Sequence, residues 1–492
     1  MAVFQNNLLA GAGAQSSGGT VHTIDQSIRF NDDDSPALNK TYSGAGSRVK
    51  FTYSCWLKVA TTDTGSGFPL FNGGTGTSDT TWSGVAYYQG MIYAQGYSTN
   101  WRITTRKLRD PAAWYHIVYV WDTGQVADTE RIKIFINGVR ETEFSTFNHP
   151  AKDAQSGIGQ ASQQHTIGYQ SRTVGWGYAD AYLADMVYLD GTAADPSSFA
   201  EYNENGIWVP KDVSGLTFGT NGFHIDGRDS ADLGDDESGQ GNDYTSTGLA
   251  AHDQVSDSPT NNFCVVNPLY RGTATTVAAY GTLANGNLEF SYTNANNAGQ
   301  LCTELFTSGK WYWEMRMVAG GGSSSYFNSS GIAAVNDGYV KSDTNMHGTV
   351  AGEIGFNSYN GECKAFGSLT KTYTEVPFVD GDILQVAVDA DNGAIYYGKN
   401  GTFMGSGDPT SGASKTNAGA TWTPSSYSGG WVPTVGALGG SVPKVMMNFG
   451  QEGTFAGGTT AGNNSDGNSV GNFKYSVPSG YLAICTKNLG AE

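Results

Sequence analysis

A chain of 492 residues is longer than one hydrophobic core usually supports, so two or three domains are expected. A net charge of −18 without any cluster of Lys and Arg excludes nucleic-acid binding by phosphate neutralisation. The 68 Gly, 27 Tyr, 22 Phe and 11 Trp predict many short strands joined by glycine-rich turns, because runs of Ala, Leu, Glu and Lys at helical spacing are nearly absent.

Residues 1–22, MAVFQNNLLAGAGAQSSGGTVH, place a short apolar patch before a Gly/Ser/Ala stretch that cannot build its own core. They are expected to form an attachment arm. No charged start leads into an apolar run, so no secretory signal is visible, and no stretch approaches the ~18 apolar residues that span a bilayer. The chain is therefore expected to be made in a cytoplasm and, if it works outside, to leave by a route such as lysis.

Strand-like text begins at residue 23. Ser27–Phe30 runs into the turn cluster Asn31-Asp-Asp-Asp-Ser35, and Val49–Val59 alternates apolar with polar residues over a full strand. Trp114–Trp121 continues the pattern, and Arg131–Ile136 closes on Asn137-Gly138, a tight-turn signal. Tyr182–Leu189 with Asp190-Gly191 repeats it, while Pro196–Tyr202 suggests one or two helical turns. Residues 213–275 crowd Asp226, Asp229, Asp232, Asp235, Asp236, Glu237 and Asp243 into Gly/Ser-rich text without periodicity, which predicts a surface connector. Beyond it come Ser308–Arg316 (SGKWYWEMR), Val379–Asp389, Asn392–Tyr397, the turn Lys399-Asn-Gly401, Trp431–Val435, Val445–Gly450 and Phe473–Tyr481. Five cysteines, at 55, 264, 302, 363 and 485, lack metal-finger spacing and read as structural thiols.

The ordered set Trp56, Trp114-Tyr115-His116, Ile134–Gly138 and Gly177-Tyr178 to Leu189 resembles a laminin-G-like, concanavalin A-like domain over 23–212. The second half resembles a SPRY domain over 276–485, through its GK-W-Y-W-E, GD-I…V-A-V-D, NG, W-V-P and N-F-G pieces. These resemblances imply an all-β fold: two antiparallel jelly-roll β-sandwiches, at 23–212 and 276–492, separated by the connector at 213–275.

Glycoside hydrolysis needs two carboxylates about 5–9 Å apart across the sugar. No Glu begins a Glu-x-Asp-x-x-Glu run, and Glu141-Thr-Glu143 reads as a solvated edge. Serine-hydrolase elbows, P-loops and metalloprotease helices are absent, and the seven His are scattered singly. A non-enzymatic chain is expected. Calcium prefers carboxylate and carbonyl oxygens on flexible loops, which makes Asp32, Asp33, Asp34, Asp226, Asp229 and Asp235 candidate ligands; the laminin-G-like resemblance implies such a site, and a solvated acidic turn is the competing reading. Aromatics near glycine-rich turns are candidate ligand-binding residues, because a ring stacks on an apolar sugar face while a hydroxyl or indole N–H bonds at its rim. They are Tyr97, Trp101, Trp176 and Tyr178 in the first half and Tyr326, Phe327, Tyr359 and Trp422 in the second.

The opening FQNNLLAGA, then IDQSIRFNDDDSPAL, and the closing PSGYLAICTKNLG resemble fibre or capsid-appendage proteins of marine tailed phages. That resemblance implies a virion protein: a fibre or appendage, commonly trimeric, that contacts other structural proteins and binds host-surface glycan or protein. A capsid decoration protein is the alternative, and a glycan-degrading enzyme the third reading.

Overall fold

The computed structural model describes residues 22–60, 67–170, 176–270, 281–292, 297–322, 327–336, 339–340, 348–438 and 443–490. Nearly all of its regular structure is strand, in antiparallel sheets, and no helix among the described residues is long and apolar enough to cross a membrane. The chain divides after Asn261 into two compact units.

In the first unit one sheet runs Val139–Arg140, Ile132–Ile136, Tyr115–Asp122, Lys50–Val59, Ala181–Asp190, Ser27–Phe30, Gln254–Val255. The other runs Phe144–Phe147, Asn100–Thr104, Met91–Gly96, Ser83–Tyr88, Phe68–Gly73, Gln164–Ile167, Ala37–Thr41, Thr245–Thr247. Side chains alternate across a strand, so Phe51, Tyr53, Cys55 and Leu57 enter the core beside Trp121, Tyr119, Ile117 and Tyr115. Val85, Tyr87, Ile92 and Ala94 meet them from the facing sheet. Each such side chain contributes about 1.5–3 kcal/mol on burial.

Lys50–Val59 is buried on both faces after its first residue, more than the alternation predicts. The segment after Asp190 explains this: Phe199, Val213 and Phe218 cover Val118, Val120, Val187 and Leu189 on the outer side of the sheet. Within that segment the predicted helical turns are a single 3-10 turn, Pro196–Ser198, followed by strand Ala200–Tyr202 paired with Trp208–Pro210.

The expected connector at 213–275 is not one. Phe223–Ile225 pairs with Ala181–Asp190, Thr245–Thr247 with Ala37–Thr41, and Gln254–Val255 with Ser27–Phe30. Phe223, Ile225, Leu233 and Tyr244 join the core. Buried ion pairs Arg29–Asp253 (3.2 Å) and Lys58–Asp257 (2.6 Å) hold its end. From Asn262 the chain belongs to the second unit, where Phe263 bridges Cys485 and Val266 bridges Cys302. The predicted boundaries at 212 and 275 thus give way to one at 261, because a polar segment can be anchored by a few core residues and satisfied carboxylates rather than by a periodic face. Residues 1–21 of the expected arm lie outside the described residues.

The second unit is also two sheets. Lys310–Ala319 lies between Lys444–Asn448 and Ile383–Asp389 in one, and Phe327–Asn336 between Trp431–Leu438 and Glu353–Asn357 in the other. Trp311, Trp313 and Met315 face Ile332, Ile354, Phe356 and Val435 across the core. Tyr312 and Glu314 point the other way and are buried beneath the segment carrying Phe473 and Tyr481. All five cysteines are buried, as structural thiols would be.

Candidate functional site: an aromatic platform on the first sandwich

The hairpin Ser83–Tyr88/Met91–Gly96 turns at Gln89 and Gly90, both left-handed (φ 51° and 84°). Its register pairs Tyr87 with Ile92 and Ala86 with Tyr93. Since Tyr87 and Ile92 enter the core, Tyr88 and Tyr93 project from the outer face as a diagonal pair, ring centroids 5.6 Å apart. Trp176 joins them from a loop more than eighty residues away, 5.2 Å from Tyr88 and 5.8 Å from Tyr93. Gly67 makes this contact possible: a Cβ there would lie 2.7 Å from both Trp176 and Tyr88. The loop is fixed by Gly177 N–H donating to Gly67 O at 2.8 Å. Gln89 donates to the Tyr88 hydroxyl at 3.2 Å, so an amide sits at the rim. Burial, then Tyr88, raises the Tyr93 phenol above its ordinary value, which keeps its O–H as a donor.

Two residues on, Tyr178 stacks on Tyr169 at 4.3 Å and 16°, both rings half-buried. Asn72 and Thr166 hold the Tyr169 carbonyl at 2.8 and 2.5 Å. Of the expected aromatics, Trp176 and Tyr178 therefore lie on partly exposed ring clusters. Tyr97 is exposed and Tyr359 half-buried on separate turns.

Trp101 and Trp422 are corrections. Trp101 is 4% exposed and packs on Trp121 at 4.8 Å between the sheets, and Trp422 is 6% exposed against Trp431 at 4.9 Å. Both serve the core, where large rings bring the most apolar area. Tyr326 and the side chain of Phe327 lie outside the described residues. Sequence reading missed Tyr88, Tyr93 and Tyr169; the parity of Tyr87-Tyr88 about the Gln89-Gly90 turn was the available signal for the first two.

The carboxylates are spent locally. Asp32, Asp33 and Asp34 form an exposed 3-10 turn in which Asp34 accepts from Asn31 at 2.7 Å. Asp180 precedes the register partner of Phe30, and burial pushes its carboxyl up to about 8, with Asp32 and Asp33 adding to the rise. It is protonated at neutral pH and offers no anion to a cation. Asp226 accepts the Arg228 N–H (2.8 Å) and pairs with its guanidinium (2.9 Å), and Asp229 accepts the Ala231 N–H (2.8 Å). Burial, then Asp243, Asp232 and Asp229, raise Asp235. Asp236 organises the loop instead, accepting from His224 N, Ser238 N and Oγ, and Asn242 N at 2.8–3.0 Å. Among the described residues no three His, Cys, Asp or Glu side chains are placed to hold a metal ion, so the six expected aspartates do not converge.

Of the expected solvated edge Glu141-Thr-Glu143, Glu141 is not solvated. Glu141 is buried and paired with Arg106 at 3.1 Å, while Glu143 is exposed, because the chain leaves the strand after Arg140.

Several known structures are similar to this chain at low identity. They include the SPRY domain of human HERC1 (18% identity, 34% of this chain and 91% of that one, TM-score 0.26) and the PSpry domain of TRIM65 (11%, 38% and 92%, TM-score 0.26). A native heptameric SAP-like pentraxin from Limulus polyphemus is a third (18%, 36% and 80%, TM-score 0.26). No curated protein matches the chain. Residues 31–193 match the family described as the Concanavalin A-like lectin/glucanases superfamily. The first unit thus carries a concanavalin A-like domain within an all-β chain.

Proposed function

We propose that this chain is a non-enzymatic structural protein of a tailed-bacteriophage particle, a fibre or appendage that adheres to glycan or protein on the host surface. The observation that carries the adhesive part is the Tyr88–Tyr93–Trp176 platform, three rings held on the outer face of a concanavalin A-like sandwich. Two partly exposed rings, Tyr88 and Trp176, backed by the buried Tyr93 and fixed by a hairpin and a glycine contact, lose little conformational freedom on binding, which favours stacking on a sugar face. The opening and closing segments support the virion assignment by their resemblance to phage appendages, with synthesis in a host cytoplasm, release by lysis and attachment to other virion proteins. A homotrimer would multiply weak single contacts by about 10²–10⁴-fold.

Trp176→Ala is expected to weaken retention on the host polysaccharide about 30-fold, the equivalent of ~2 kcal/mol for a central ring, with the unfolding midpoint unchanged. Affinity electrophoresis of the two proteins measures it, and equal retention removes the platform from the function. Immunogold labelling of intact particles tests the virion assignment independently, and unlabelled particles refute it.

Adhesion is proposed to proceed without calcium, since Asp226 and Asp229 are engaged by backbone N–H groups and Arg228. EDTA is expected to leave both retention and the thermal midpoint unchanged; a fall in either reversed by added calcium rejects this. Incubation with the retained polysaccharide is expected to release no reducing ends.

A further inference from the structure

On the other side of the same sandwich a second aromatic surface stands without an assigned role. Tyr202 is 57% exposed, and Trp208 lies half-buried beside it. Tyr202 meets Trp208 edge-to-face at 4.8 Å, and a Cβ on Gly138, adjacent to Val139, would lie 2.8 Å from the Trp208 ring.

Trp208 is pinned from beneath. Its Nε1–H donates to His116 Nδ1 at 3.1 Å, and the other ring nitrogen of His116 lies 2.8 Å from Ser54 Oγ. With Nδ1 accepting, the proton resides on Nε2 and is donated to Ser54. Burial pushes the His116 imidazole down to about 3, so this relay stays neutral. The turn of the Ala200–Tyr202/Trp208–Pro210 hairpin is tied by Asn203 Oδ1, which accepts the Asn205 and Ile207 N–H groups at 3.0 and 2.9 Å. The rings are rigid before anything binds.

We infer that Tyr202, supported by Trp208, is a second stacking site for a neutral glycan, so that one domain holds two glycan segments at once. The inference rests on the reading of this domain as a glycan-binding adhesin. Three points carry it beyond a chance exposed tyrosine.

First, size selects the occupant. A fully covered aromatic side chain buries about 150–250 Å², so one mostly exposed ring and one half-buried ring offer roughly 150–200 Å². A stable protein interface needs about 800 Å² per partner. The patch fits one or two sugar rings and is too small for a second copy of the chain. Second, chemistry selects the class. The Trp208 indole N–H is turned inward, so the surface is an apolar ring face bordered by the Tyr202 hydroxyl, with the exposed carboxylate Glu204 on the adjoining turn. Carboxylates accept hydrogen bonds from sugar hydroxyls and repel acidic polysaccharides. The nearby Arg140 is engaged with Glu130 at 2.8 Å. Third, the two platforms face opposite ways. Ile117 and Tyr119 enter the core, so His116 and the Trp208 above it lie outside the first sheet, whereas Tyr88 and Tyr93 project from the other. One glycan ring cannot touch both.

The test counts sites per chain. The purified full chain is run through gels containing mannan, dextran, laminarin or agarose, and hexasaccharide fragments of the retarding polysaccharide are titrated calorimetrically. Two sites per chain are expected for the wild type, one each for Tyr202→Ala and Trp176→Ala, and none for the double variant. Tyr202→Phe keeps the ring and is expected to keep both sites. Tyr202 is mostly exposed, so its variants are expected to retain the wild-type unfolding midpoint. An unchanged stoichiometry in Tyr202→Ala beside a loss in Trp176→Ala overturns the second site and leaves the adhesin reading intact. No retardation by any of the four polysaccharides overturns both.

Discussion

Asp257→Ala is expected to destabilise the first unit by about 3–5 kcal/mol, the cost of stripping one partner from a fully buried ion pair. Lys58 Nζ lies 2.6 Å from Asp257 Oδ2, and neither side chain reaches solvent. The other carboxylate oxygen accepts from Trp114 Nε1 at 3.1 Å, and the backbone carbonyl of Asp257 accepts from Ser27 Oγ at 2.6 Å. Truncation leaves an ammonium and an indole N–H in an interior lined by Tyr182, whose ring is 5.5 Å from Lys58. The second buried pair, Arg29–Asp253, lies only four residues away and stays intact, so the loss reports on Lys58. Urea titration with a tyrosine and tryptophan fluorescence readout measures it. The double variant Lys58→Met/Asp257→Leu removes both charges and is expected to recover most of the loss, because a buried pair replaced by apolar residues is often close to neutral. A cost below ~1 kcal/mol for Asp257→Ala means that water reaches the pair, and that residues 251–258 are only loosely attached.

That pair also explains why the first domain extends past the boundary its sequence suggested. Strands with a clean period of two were legible almost to the residue: Val49–Val59 was expected and Lys50–Val59 forms, Tyr182–Leu189 was expected and Ala181–Asp190 forms. The Asn137-Gly138 and Asn400-Gly401 turns adopt the left-handed pairs their residues favour (φ 50° and 78°, 50° and 92°). Residues 213–261 carry no such period. Their core anchors, Phe223, Ile225, Leu233 and Tyr244, are separated by carboxylates that bond backbone N–H groups, and composition alone makes such text look like a linker. Lys58 and Asp257 are each ordinary surface residues until folding brings them together. The candidate site divides in the same way. The outward parity of Tyr88 and Tyr93 was local and could be read, whereas the Trp176 contact and the demotion of Trp101 and Trp422 to packing depend on which loop closes over which sheet.

Glu314→Gln is expected to remove a pH dependence that the second unit carries in one side chain. Glu314 lies on the outer face of Lys310–Ala319, fully buried. Burial pushes its carboxyl up to about 7, although Lys474 N, Tyr475 N, the Tyr312 hydroxyl and Asn448 Nδ2 donate to it at 2.8–3.4 Å and pull the other way. In the folded chain the group therefore keeps its proton over a range, roughly pH 4.5 to 7, in which the unfolded chain has lost it. The native state binds more protons there, so stability is highest below the unfolded value and falls as pH rises through the folded one. A displacement of this size corresponds to about 3 kcal/mol between the two ends of the window. The glutamine variant has the shape of the protonated acid and cannot ionise. Near pH 5 it is expected to be less stable than the wild type by about 1–3 kcal/mol, because the amide nitrogen cannot accept the backbone N–H that a carboxyl oxygen accepts, and to lose no further stability through this group toward pH 8. Glu314→Ala, which takes the acceptor from the Lys474 and Tyr475 N–H groups and the Tyr312 hydroxyl, is expected to lose stability at every pH, each unpaired donor costing about 1–3 kcal/mol. Urea midpoints of the three proteins at pH 5, 6, 7 and 8 separate these outcomes. Parallel curves for wild type and Glu314→Gln mean that the segment around Lys474 and Tyr475 admits water to the carboxylate, and that the aromatic lid of Phe473 and Tyr481 does not seal the sheet.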